Sequence, residues 1–200
     1  MLVARAPKDE ANVGASLSIR FKDALTELPS IAVWAETPRG AMIETLYIDP
    51  RIAYSDNPNW GGEKTPRNHI LPLWRHRHTL VSGVDPSGKV DATTGATQTH
   101  SFSLDRYLQT GEDSSFVFCV EVNLPKDTNE SFPDPHIGQP SLLYTALVDM
   151  DTDQRYAILE LTGHGGGAEK NGAIQYDLEG FDSAKQLVDL LLAHTQPIDR

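Results

Sequence analysis

The fold this sequence predicts is mainly β, an antiparallel sandwich of immunoglobulin-like character with long loops and one C-terminal α-helix, and three observations predict it. At least seven segments carry the period-two alternation or the β-former enrichment of strands. Turn signals separate these segments, and only one stretch, near the C-terminus, repeats its apolar residues at helical spacing. Within 200 residues this makes one domain, with an arm at 1–15, the sandwich at 16–180, and a helix with tail at 181–200 packed on the same body.

The arm carries no period. Leu17, Ile19 and Phe21 then alternate with Ser16, Ser18 and Arg20, as a half-buried strand requires. Leu28-Pro29-Ser30 turns the chain into residues 31–36, where Val33 and Trp34 face opposite sides. Pro38-Arg39-Gly40 reads as a hairpin turn into residues 42–48, closed by Asp49-Pro50. Later strands are expected at 98–104, 115–122, 141–149 and 155–162, with Phe116, Phe118, Val120 and Val122 on one face. Asp149-Met150-Asp151-Thr152-Asp153 joins the last two as a hairpin loop. Its alternating carboxylates admit a calcium reading, but the glycine and distal glutamate of the helix-loop-helix calcium motif are missing, which favours a polar turn. In the tail, Ser183 and Gln186 form a capping box, and Ala184, Leu187, Val188, Leu191 and Leu192 recur along one helix face until Pro197.

Composition narrows the function. With 22% charged and 39% hydrophobic residues the chain is globular, and a net charge of −11 argues against a nucleic-acid partner, whose phosphates need Lys and Arg. The lone Cys119, inside an apolar run, reads as a buried small hydrophobe that has no internal disulfide partner. No apolar run approaches the roughly 18 residues of a transmembrane segment, and the first residues lack a secretory apolar core. That leaves a cytosolic protein or one whose leader has been removed.

Two polar loops, at 51–67 and 124–140, are long enough to carry function in a compact domain. Trp60 in the first can stack on a flat ligand or plug the loop to the body. On that basis the chain also reads as a non-catalytic binding module whose loops hold a protein or glycan partner. Leu71-Pro72-Leu73-Trp74-Arg75-His76-Arg77-His78 is the second unusual stretch. If extended, it sets Trp74, His76 and His78 on one face, so His76 and His78 can share a metal ion, with His69 or His100 completing the set. The competing reading is a solvated basic strip, and Arg75 or Arg77 can alternatively neutralise a phosphate. Gly163-His164-Gly165-Gly166-Gly167 lacks the phosphate-loop lysine and reads as a turn.

The stretch with the most specific chemistry is Asp91-Ala92-Thr93-Thr94-Gly95-Ala96-Thr97, followed by Gln98-Thr99-His100. Small residues let a bulky partner approach, Gly95 permits a tight presenting turn, and Asp91 can hydrogen-bond the backbone beyond it. A neutral threonine hydroxyl is a poor nucleophile, so such a segment presents an acceptor and a second enzyme activates it. The pattern resembles the recognition motif of bacterial flavin transferases: Asp, a small residue, any residue, Ser or Thr, then Gly-Ala-Thr. Every position is met, and the resemblance implies covalent FMN, transferred from FAD, on Thr97 as a phosphoester, with Asp91, Thr94, Gly95 and Ala96 as the motif and Arg75 and Trp74 as candidate neighbours of the cofactor.

From about residue 17 to 177 the chain is also similar to a family of bacterial proteins of unknown function predicted to be periplasmic. Ala32-Val33-Trp34, Leu71-Pro72-Leu73-Trp74-Arg75, Phe118-Cys119-Val120-Glu121-Val122-Asn123 and Gly138-Gln139-Pro140-Ser141-Leu142-Leu143-Tyr144 carry that likeness. It implies an extracytoplasmic location, in the periplasm or at the cell surface, and association with a flavin transferase and membrane redox proteins. The covalent-FMN domains of sodium-pumping and ferredoxin-linked membrane complexes share the threonine motif but not this strand order. The expected function is an electron carrier, or the binding module above, sooner than a turnover enzyme; a Ser-His-Asp or Cys-His arrangement cannot be assigned from the chain, because those groups meet in space and not in sequence.

Overall fold

The computed structural model describes residues 12–23, 25, 27–49, 52, 69–83, 101–110, 114–166 and 172–198. Residues 91–97, His100 and Trp60 lie outside the described residues. Two antiparallel sheets form, as the alternation predicts. The four-stranded sheet contains β1 (Val13–Phe21), β4 (Phe102–Leu108), β7 (Tyr156–Ile158) and β9 (Val188–Pro197), in the order β4-β1-β9-β7. The five-stranded sheet contains β2 (Ser30–Glu36), β3 (Met42–Ile48), β5 (Ser115–Asn123), β6 (Leu142–Asp149) and β8 (Glu160–His164), in the order β3-β2-β5-β6-β8. First and last strands lie side by side in one sheet, whereas constant immunoglobulin domains put them in opposite sheets.

The core between the layers follows the pleat. Leu17, Ile19 and Phe21 of β1 meet Val33 of β2, Phe116, Phe118 and Val120 of β5 and Leu142, Tyr144 and Ala146 of β6 in one buried cluster. A second cluster covers the outer face of the five-stranded sheet, where Ala32, Trp34, Ile48, Cys119 and Leu143 pack against Ile70, Leu71, Leu73 and Trp74. Strand β2 is therefore buried along its whole length, with Val33 and Trp34 in different cores.

Three expectations are corrected. The stretch after Leu71 is not extended: Pro72–Ser82 is an α-helix, here α1. Pro72 is preorganised for its first turn, and Gly83, in the left-handed region at φ 69°, ends it by donating to Thr79 O at 2.8 Å. The tail is not an α-helix. A single 3-10 turn spans Ser183–Gln186, capped by Asp182, whose carboxylate accepts from Ser183 N–H, and not by the expected Ser183 box; the chain then runs extended as β9, bonded on one side to β1 and on the other to β7. Local apolar spacing admits either form there, and the two strands waiting for a partner decide it. Finally, the strand expected at 155–162 is two: β7 joins the four-stranded sheet, and after Leu159 the chain crosses back as β8 to pair with β6. Strand β1 also begins inside the expected arm, at Val13.

Candidate functional site

Helix α1 and the sheet beneath it hold the described candidates. Its N-cap residue, Leu71, has no side-chain oxygen to satisfy the first turn. Glu121 of β5 does so from across the interface: Leu73 N–H donates to Oε1 at 3.1 Å and Trp74 N–H to Oε2 at 2.8 Å. Ser141 Oγ donates to Oε1 at 2.6 Å. Glu121 is completely buried, and that burial, stronger than its three hydrogen bonds, raises its pKa to about 7. Gly165 closes the cage, since a Cβ there would lie 2.5 Å from Ser141 Oγ and 2.6 Å from Pro72 Cγ. A carboxyl titrating near neutrality suits acid–base work, but every approach to this one is filled by protein. Its role here is to fasten the helix.

One turn further along, Arg77 Nε donates to Glu36 Oε2 at 2.8 Å, with both side chains nearly buried. Trp34 Nε1 donates to the same oxygen at 3.0 Å, and Arg77 Nη1 reaches Gly172 O at 3.3 Å. Arg77 is thus committed to an internal ion pair and is no phosphate ligand in this arrangement. Burial pushes the Cys119 thiol well above its usual range, which suits the small hydrophobe the sequence predicts.

The helix redistributes the expected site. Trp74 is fully buried, donates from Nε1 to Thr45 Oγ1 at 3.0 Å, and stacks on His78 with ring centroids 5.2 Å apart. Residues four apart share a helix face and residues two apart do not. His76 and His78 therefore point apart, and His76 instead sits where a Cβ on Gly172 would collide with it. The strand geometry behind a shared ion is not formed, and no metal-holding group of three His, Cys, Asp or Glu occurs among the described residues. Arg75 is half-buried on α1. No helix among the described residues is long and apolar enough to cross a membrane.

The loop at 124–140 is tied down. Gln139 Nε2 donates to Asp127 Oδ2 at 2.9 Å and Ser183 Oγ at 2.7 Å, Asn129 Nδ2 donates to Gly180 O, and Phe132 packs on Phe181. His164 rests on Phe181 as well, its Nδ1 accepting from Gly166 N–H, and burial lowers its pKa.

Sequence reasoning missed Glu121, Glu36 and Ser141. A signal existed for the first: Glu121 shares a strand face with Val117 and Cys119, and a lone carboxylate on an apolar face needs buried donors. Nothing local marks Ser141 or the Glu36–Arg77 pair, because the partners meet across 20 and 41 residues. No protein-family model, curated protein or solved structure matches this chain.

Proposed function

We propose that the chain is an extracytoplasmic, redox-associated β-sandwich that accepts FMN covalently on Thr97. One observation carries the reading: residues 91–97 meet every position of a flavin-transfer motif, including the Gly95-Ala96-Thr97 core. The Thr97 hydroxyl attacks the FMN phosphorus of FAD, the pyrophosphate bond breaks, and AMP leaves with the bonding electrons. A transferase supplies the base or metal; the chain supplies presentation. In chain order the motif falls between α1 and β4. Arg75, on that helix, is the guanidinium candidate for the FMN phosphate, while Trp74 is spent on packing. The attached isoalloxazine does the redox chemistry, and membrane redox proteins exchange electrons with it.

Producing the chain together with a flavin transferase and FAD, then mapping tryptic peptides by mass, tests this. The peptide containing Thr97 gains FMN less water, its yellow fluorescence survives denaturation, and Thr97→Ala abolishes both. An unmodified Thr97 under those conditions overturns the reading.

A further inference from the structure

The two seams of the sandwich differ. Between β3 and β4 the layers are stitched by Arg106 Nε donating to Leu46 O at 3.0 Å and by Tyr47 and Phe102, whose rings lie 5.3 Å apart. Between β6 and β7 a groove of about 580 Å³ runs instead, and Leu147, Tyr156 and Ile158 line it at 63%, 60% and 61% exposure. These are three of the most exposed large apolar side chains described, and they share one surface.

Backbone lines it too. Thr195 N–H donates to Arg155 O and Leu159 N–H to Leu191 O, so the odd residues of this stretch face β9. By the antiparallel alternation, Tyr156 and Ile158 turn their N–H and C=O groups outward along the edge of the four-stranded sheet. Gln154 Nε2 covers Tyr156 O at 3.0 Å, and the remaining groups of that edge have no protein partner among the described residues. Across the seam β8 stops pairing with β6 at Thr145, two residues before Leu147.

At the loop end the groove deepens into a recess of about 110 Å³ bordered by Asp149, Gln154, Arg155 and Thr195. Thr195 is 1% exposed, and its hydroxyl has no hydrogen-bond partner among the described residues. A buried hydroxyl without a partner is rare in a folded protein, and this one stands in the wall of a recess that also carries Asp149, Gln154 and Arg155. Asp149 borders the recess and Glu160 the groove, against Arg155, whose Nη1 already donates to Thr152 O at 2.6 Å. A second copy would bring the same carboxylates to the seam on a chain of net charge −11, so self-pairing is opposed.

We propose that this seam docks an extended, lysine-bearing segment of another protein, added as a strand outside β7. Its alternate apolar side chains lie on Tyr156, Ile158 and Leu147, and one lysine enters the recess, its ammonium donating to Thr195 Oγ1 beside Asp149. The mode is strand addition, in which main-chain bonds give affinity and side-chain pockets give selectivity. It is independent of Thr97.

The probe is a labelled heptapeptide of alternating valine and threonine with a lysine at each end, followed by fluorescence anisotropy and amide NMR. Binding shifts the amides of Leu147, Tyr156 and Ile158. N-methylating an edge-facing amide weakens it roughly tenfold, as loss of one hydrogen bond does. Ile158→Asp, at an exposed position, abolishes binding without unfolding the chain, and Thr195→Val weakens binding while the fold is kept. No binding at about millimolar peptide, far above the range of specific recognition, overturns the proposal. So does equal binding of a glutamate-ended or N-methylated peptide, shifts confined to another face, or a concentration-dependent dimer that Ile158→Asp dissolves.

Discussion

Replacing Glu121 by Gln changes how stability depends on pH, and the structure sets both sign and size. The folded chain holds the Glu121 proton to higher pH than the unfolded chain, because the ionised form is desolvated beneath α1. Its contribution to stability is therefore complete below about pH 4.5 and is lost as pH rises through 7. From 4.5 to about 7, at about 1.4 kcal/mol per pH unit, the loss comes to about 3 kcal/mol. When protonated, Glu121 can give its hydrogen to Ser141 Oγ and still accept from Leu73 and Trp74 N–H. Glutamine cannot, since its amide nitrogen leaves one of those backbone donors unmet at a cost of about 1–3 kcal/mol. Glu121→Gln is thus less stable than the wild type at pH 5, and the gap closes, then reverses, as pH rises to 8. Urea unfolding of both proteins at half-unit pH steps reads the difference, which cancels the titration of the histidines common to both. A difference that stays constant from pH 5 to 8 refutes the account of Glu121 as a buried carboxyl that titrates near neutrality.

Other substitutions test the same interface. Arg77→Met strands the Glu36 carboxylate with the Trp34 indole as donor and lowers unfolding free energy by about 3–5 kcal/mol, most of which Arg77→Met with Glu36→Gln restores; urea titration followed by tryptophan emission reads both. Gly165→Ala pushes Ser141 off Glu121 and costs about 1–3 kcal/mol, with the melting temperature as readout. Thr195→Val removes a buried hydroxyl that lacks a partner and stabilises the free protein by about 1 kcal/mol, a rise of about 2–4 °C in melting temperature. A fall in that temperature shows the hydroxyl to be satisfied within the fold.

What the residues alone determined is the layered β architecture. Strands β1, β2, β3, β5 and β6 were legible because alternation is a local property: Leu17, Ile19 and Phe21, or Phe116, Phe118 and Val120, carry their inward direction wherever the sheet forms. The motif at 91–97 is equally local, so it could be recognised without a fold. Helix α1 was framed in advance by Pro72 and Gly83, yet its alternating His and Arg residues suggested a strand. The tail spaced Ala184, Leu187 and Leu191 like a helix and became β9. In both, short-range preference is weak and tertiary partners outweigh it: Glu121, brought from 48 residues away in sequence, holds the first turn of α1, and the open edges of β1 and β7 draw the tail into a ladder. Tertiary structure alone decided which titratable groups meet, which carboxyl is sealed from water, and which strand edge faces solvent, because each of these depends on contacts between distant segments that no local pattern encodes.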